Sequence, residues 1–226
     1  KAHDIPVHTD AVQAVGQLDI DFSCLGVAAM SVSAHKLGGP TGIGALLLGR
    51  SIEPTPILHG GGQERNVRSG TLDVPAIAGF AAALDAAMND RVERNARVSA
   101  LRDDLIARIQ RAVPDAVLNG APILDEANRL PNNVHFSFPG CQGDALLMLL
   151  DAKGIECSTG SACSAGIAQP SHVLLALGAS QTAARSSLRF SLGWNSTQAD
   201  VDAVVEAIAP AVERARLASG TLVDHA

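Results

Sequence analysis

Two short apolar runs constrain this chain more than any other feature. Val27-Ala28-Ala29-Met30-Ser31-Val32 and Gly44-Ala45-Leu46-Leu47-Leu48 flank the polar, glycine-containing stretch Ser33-Ala34-His35-Lys36-Leu37-Gly38-Gly39-Pro40. Each run has the length of a strand and is too short for a buried helix. Continuous apolar runs of this kind suit a sheet covered on both faces. Neighbouring strands are therefore expected at about 28–33 and 44–48, with a turn between them. Lys36 stands at the mouth of the first strand. Burying an ammonium is costly and tends to depress its pKa. A depressed pKa suits a Schiff-base lysine, because only the neutral amine attacks a carbonyl. The same stretch also fits a surface lysine in a β-turn, so the rest of the chain must decide.

Composition removes several classes of function. The chain has 226 residues, enough for one large domain or two small ones, and 47% of them are hydrophobic, enough for a real core. The net charge is -6 and there is no Lys/Arg run, which argues against nucleic acid as a partner. No apolar span is long enough for a membrane helix, and no signal peptide is visible. The opening residues Lys1 to Val7 read as a loop entering a strand, as in the middle of a fold. The cysteines, at 24, 141, 157 and 163, include no Cys-x-x-Cys pair. Reduced thiols and a cytoplasmic protein are the expectation.

Val7-His8-Thr9-Asp10 reads as a strand ending in a polar residue, and Ala11 to Gly16 as a short helix. A glycine-rich loop follows the second apolar run, from Ile57 through Gly60-Gly61-Gly62-Gln63-Glu64-Arg65 to Arg68-Ser69-Gly70-Thr71. Helical patterning begins at Val74, with Pro75 acceptable in the first turn. Arg91 to Ala112 is a second helix: Val98, Leu101, Leu105 and Ile109 step by three or four, and Pro114 ends it. A domain boundary is placed near 90, giving domains 1–90 and 91–226. Asn133 to Phe138 and Ser187 to Leu192 alternate as half-buried strands. Gly143 to Ala152, Pro170 to Leu177 and Thr197 to Leu217 read as helices, and Gly154 to Cys157 as a short strand. The whole is α/β followed by α+β.

Four groups of residues can carry chemistry. Asp10 at a strand end can hold a protonated ring nitrogen and keep a pyridine ring cationic, strengthening it as an electron sink. It can equally be an ordinary N-cap. Gln13 would share its helical face. The loop His59 to Thr71 offers glycines, Arg65, Arg68, Ser69 and Thr71 to an anion, or is a flexible surface loop without Walker spacing. Cys163 sits in the small-residue run Ser158 to Gly166, which suits a nucleophile that must travel. The other cysteines read as packing residues. A zinc site from Cys141, Cys157, Cys163 and His172 matches no familiar spacing. Arg189, on an alternating strand, is either a carboxylate clamp facing a pocket or one half of a surface salt bridge. His135 and His172 lack any partner visible in the sequence and read as structural.

Together these pieces resemble a known family. Asp10-x-x-Gln13, Ser33-x-His35-Lys36, Gly60 to Arg65 with Arg68-Ser69-Gly70-Thr71, Ser161-Ala162-Cys163 and Ser187 to Gly193 occur in the order found in the NifS/IscS-type cysteine desulfurases. These are class V, fold-type I enzymes using pyridoxal 5'-phosphate (PLP). The resemblance runs from about Val7 to about Ala207. It implies part of a large PLP-binding domain, mostly parallel sheet with flanking helices, over 1–90. It implies a small C-terminal α+β domain over 91–226.

Position by position, the resemblance implies that Lys36 carries PLP covalently and that Asp10 pairs with its pyridine nitrogen. Gln13 would bond the ring hydroxyl oxygen, and Ser33 and His35 would hold the phosphate. Thr71 would reach the phosphate of a neighbouring subunit in a homodimer. Arg189 would clamp the substrate carboxylate, and Cys163 would accept sulfur from L-cysteine. The implied reaction gives L-alanine and a persulfide that passes to an acceptor such as an iron–sulfur scaffold protein.

Family members carry a further stretch ahead of the position matching Val7. It supplies a histidine stacked on the PLP ring, a phosphate loop, an asparagine near the substrate and the opening strands of the sheet. This chain shows no counterpart, so the expectation is either a C-terminal fragment of such an enzyme or one whose remainder is a separate piece, with the apolar faces of a half-built sheet exposed. Two further readings stand beside it: a selenocysteine lyase on the same scaffold, and a non-catalytic dimerising fragment that binds no PLP.

Overall fold

The computed structural model describes residues 3, 5–121, 129–159 and 170–220. The chain forms two compact units, Lys1–Val92 and Glu93–Ala226.

The first unit is built on a three-stranded sheet in the order β1-β2-β3, with β1 at His8–Asp10, β2 at Ala29–Ser33 and β3 at Gly44–Leu48. Strands β1 and β2 are parallel, and β2 and β3 form an antiparallel pair. The two apolar runs thus pair as the sequence predicts. Residues 11–18 differ from expectation: they form hydrogen-bonded turns, with Val15 N–H donating to the Ala11 carbonyl, rather than a helix. Gly16, at φ 78°, leaves the right-handed helical region and stops propagation. A short helix α1 (Phe22–Leu25) follows, capped by the Asp21 side chain.

Helix α2 (Val74–Asn89) begins where Asp73 accepts from the Ala76 N–H. It approaches the lysine turn at a glycine. A Cβ on Gly79 would stand 2.7 Å from Pro40 Cγ, and one on Gly39 would stand 3.0 Å from Ala83 Cβ. No residue of α2 is fully buried, although the helix is alanine-rich. Ala11, Met30 and Ala34 are the buried apolar residues of this unit among those described, whereas Leu46, Ile57 and Val74 are half exposed or more. The expectation of strands covered on both faces is therefore corrected. Three strands and one long helix, the described elements of this unit, cover too little area to bury both faces.

The second unit carries the main core. Helix α3 (Arg91–Ala112) turns its 3.6-residue apolar stripe inward, burying Val98, Leu101, Leu105, Ile106 and Ile109. A second sheet, order β4-β5-β6, is antiparallel throughout: β4 at Val117–Leu118, β5 at Asn133–Ser137 and β6 at Ser187–Ser191. Phe136 and Leu188 from this sheet, Leu146 and Leu150 from α4 (Gly143–Asp151), and Val201 and Ile208 from α7 (Gln198–Ala218) complete the cluster. Each such side chain contributes roughly 1.5–3 kcal/mol on burial. A capping box joins Thr197 and Asp200 at the start of α7. Short helices α5 (His172–Ala176) and α6 (Gln181–Arg185) lead into β6. Residues 154–157 do not form the expected strand; pairing is confined to a single bridge between Ser158 and Arg189.

Candidate functional site

In the first unit the strand register brings several candidate residues to one sheet edge. The parallel pairing sets Asp10 opposite Ser31, and the Ala11 N–H donates to the Ser31 carbonyl at 3.0 Å. Asp10 therefore lies at the carboxyl end of β1, beside the carboxyl end of β2 that leads into Ser33, His35 and Lys36. The carboxyl ends of parallel strands are where open α/β sheets build their ligand sites. Asp10 Oδ1 accepts from the Val12 N–H at 2.9 Å, which orients the carboxylate.

Residues Ala34–Leu37 form a 3-10 turn directly after β2. Ala34 is fully buried and its N–H donates to the Ile43 carbonyl, so the turn is pinned at its root. Ser33 Oγ and His35 Nδ1 lie 2.6 Å apart. Lys36 itself is exposed. Burial, one of the two readings left open for this lysine, is not seen: nothing among the described residues of this unit walls it in. Gln13 and Thr71 are also exposed.

The glycine-rich loop is ordered by its own side chains. The Gly70 N–H donates to Gln63 Oε1 at 2.9 Å, and the Gly62 N–H to Ser69 Oγ at 3.3 Å. Glu64, Arg65 and Asn66 all have φ between 50° and 64°. Three consecutive non-glycine residues in the left-handed region cost on the order of 1 kcal/mol each.

The second unit holds a cavity of about 370 Å³, reached by Asn119, Arg129, Asn133, His135, Ser171 and Arg189, with Leu174 on its apolar side. Among the described residues no carboxylate lines it, and two guanidiniums do. Arg189 Nε is buried and has no hydrogen-bond partner among the described residues. The backbone of Arg189 is fixed on both sides, by the ladder to β5 and by the bridge to Ser158. Arg129 is held by carbonyls: its Nη2 donates to Asn119 at 2.8 Å and its Nε to Ala121 at 3.2 Å. Burial, with the Arg102 guanidinium nearby, lowers the Arg129 pKa. Burial together with Arg189 and Arg129 depresses His135 to about 4, leaving its ring neutral at ordinary pH.

Arg189 lines the cavity. His135 is its cross-strand neighbour, a pairing hidden from sequence reading because register across two strands cannot be read from either strand alone. Cys163, with residues 160–169, lies outside the described residues. Of the remaining cysteines, Cys141 is buried and Cys157 is half-buried against the core, as packing residues should be. Cys24 is exposed, which corrects that reading for this position. No cluster among the described residues could hold a metal ion.

Residues 1–204 match the family model described as Aminotransferase class-V. The chain belongs to the class-V aminotransferase family. Among class-V relatives, the IscS-like cysteine desulfurase of Mycobacterium tuberculosis is 56% identical over 215 residues, covering 95% of this chain and 54% of that protein. The cysteine desulfurase NifS of Azotobacter vinelandii is 41% identical over 212 residues, covering 94% of this chain and 52% of that protein. A solved NifS-like protein superposes with a TM-score of 0.82 at 33% identity, covering 94% of this chain and 53% of that one. A NifS-like protein from Rickettsia africae gives 0.81 at 32% identity over 92% of this chain and 54% of that one. The chain spans about half the length of the relatives it matches, and its fold is that of the class-V, fold-type I enzymes.

Proposed function

We propose that this chain is part of a PLP-dependent cysteine desulfurase, converting L-cysteine to L-alanine with a persulfide on Cys163. One observation carries the reading. Asp10 and the Ser33–His35–Lys36 turn stand at the same end of two adjacent parallel strands, in a chain of this family. The donor set fits PLP in kind: a carboxylate for a pyridinium, an amine for an aldehyde, and a hydroxyl–imidazole pair for a phosphate. In this reading residues 1–90 belong to the PLP-binding large domain and 91–226 form the small domain.

When bound, PLP supplies an electron sink for the substrate's reacting carbons. The chain's residues do the rest. Asp10 holds the ring nitrogen protonated, and Gln13 bonds the ring hydroxyl oxygen. Ser33 and His35 take the phosphate, and Thr71 reaches the phosphate of a second subunit in a homodimer. Lys36 tethers the cofactor and then moves the substrate Cα proton. Arg189 holds the substrate carboxylate. The Cys163 thiolate bonds the substrate sulfur as the carbon–sulfur bond breaks. The electron pair stays with the carbon skeleton, which is protonated and leaves as alanine. The persulfide sulfur passes to an acceptor such as an iron–sulfur scaffold protein, in the cytoplasm.

Borohydride reduction of the PLP-treated protein, followed by peptide mapping, tests the reading. The label is expected on Lys36, and Cys163→Ala should keep the label and lose alanine release. A label on another lysine, or unchanged turnover in Cys163→Ala, overturns it. The exposed Lys36 and the exposed apolar side chains of the first unit favour a second reading, a dimerising module without cofactor. A preparation that stays colourless after PLP addition would select that one.

A further inference from the structure

Arg189 and His135 are direct cross-strand partners on β6 and β5, and both side chains line the same cavity. Side chains paired in this way project from the same face of a sheet, close enough to share one small ligand. The His135 ring is fixed from behind. The Asn119 side-chain nitrogen stands 3.0 Å from His135 Nδ1 and donates to Ser137 Oγ at 2.9 Å. The Asn119 backbone N–H also donates to the His135 carbonyl at 2.9 Å, so strand and side chain are held together. An amide nitrogen only donates, so Nδ1 must accept, and the ring proton is left on Nε2. A neutral imidazole with its proton on Nε2 is a hydrogen-bond donor.

We propose that His135 is a second ligand for the carboxylate assigned to Arg189, donating from Nε2, with Asn119 as the positioning residue that fixes the tautomer. This rests on the reading of Arg189 as carboxylate clamp. Arg189 and His135 both line the cavity, and no carboxylate lines it among the described residues. Arg129, the cavity's second guanidinium, already donates to backbone carbonyls, so the Arg189 guanidinium and the neutral imidazole are the donors offered to a carboxylate.

The test is calorimetric titration of the whole, cofactor-loaded protein with L-alanine and, as control, L-alaninamide, at pH 8. His135→Leu should weaken L-alanine binding about tenfold, the effect of losing one hydrogen bond to a charged group. His135→Gln, which keeps a donor nitrogen near the Nε2 position, should recover most of it. Neither change should alter alaninamide binding. Nitrogen-15 spectra of the unmutated protein give a readout that needs no variant at residue 135. They should show His135 protonated at Nε2, with that signal moved by L-alanine and not by alaninamide, and Asn119→Ala should mix the tautomers. If Arg189→Gln abolishes L-alanine binding while His135→Leu leaves it intact, the role of His135 is wrong and the clamp survives. If Arg189→Gln leaves binding intact, the clamp itself is wrong. If the unmutated protein binds no L-alanine, both fall.

Discussion

Ser33 Oγ and His35 Nδ1 are 2.6 Å apart, one residue ahead of Lys36 in the turn that closes β2. The contact ties the hydroxyl and the imidazole into one unit, so the two groups assigned to the cofactor phosphate are oriented before it arrives. Removing the hydroxyl frees the ring. Ser33→Ala should lower PLP affinity by roughly tenfold, as expected for losing a hydrogen bond to a charged group. A fluorescence titration with PLP measures this, and unchanged affinity would remove Ser33 from the phosphate site.

The depressed His135 pKa makes a prediction about acid. The ring is neutral when folded down to about pH 4, but takes a proton at about 6.5 once unfolded. Between these values the unfolded chain binds more protons, so stability falls as pH drops from 6.5 and levels near 4. After allowance for partial exposure, the loss is on the order of 2 kcal/mol. Urea unfolding of the second unit at pH 7 and pH 4.5 should show it, and His135→Gln should flatten that part of the profile.

The two units should respond very differently to truncation. Leu105 is 1% exposed in the middle of the core, and Leu105→Ala should cost about 2–5 kcal/mol. Ile77 on α2 is 39% exposed, and Ile77→Ala should stay within about 0.5 kcal/mol. Denaturant midpoints compare the two; equal losses would contradict the contrast in burial.

Thiol reactivity follows the same contrast. Cys24 is exposed, Cys141 is buried in the core, and burial near Asp151 pushes Cys157 up to about 11. Brief iodoacetamide treatment at pH 7.5 with peptide mapping should label Cys24 ahead of both. Labelling of Cys157 at a similar rate would mean that its burial is lost in solution.

Helix α3 was legible because twenty-two residues repeat one apolar stripe and a proline follows. Strands β2 and β3 were legible because apolar runs bounded by glycine leave little choice. The short elements α1, α6 and β4 were not, since two to five residues carry no measurable period and depend on packing. Lys36 shows a different limit. Its apolar strand was read as buried, but burial depends on what covers a sheet, and that lies outside the strand's own sequence. His135 reads as structural from the sequence because its partners, Asn119 just after β4 and Arg189 on β6, lie far from it along the chain. Motif order was fully visible; side-chain company was not.

Helix α2 comes close to Pro40 only because residue 79 has no side chain. One methyl at that position improves the helix locally by about 1 kcal/mol. It also has nowhere to go against a rigid pyrrolidine ring. The gap at residue 79 therefore works as a gauge block: its thickness sets how closely the helix and the Pro40 loop can stack.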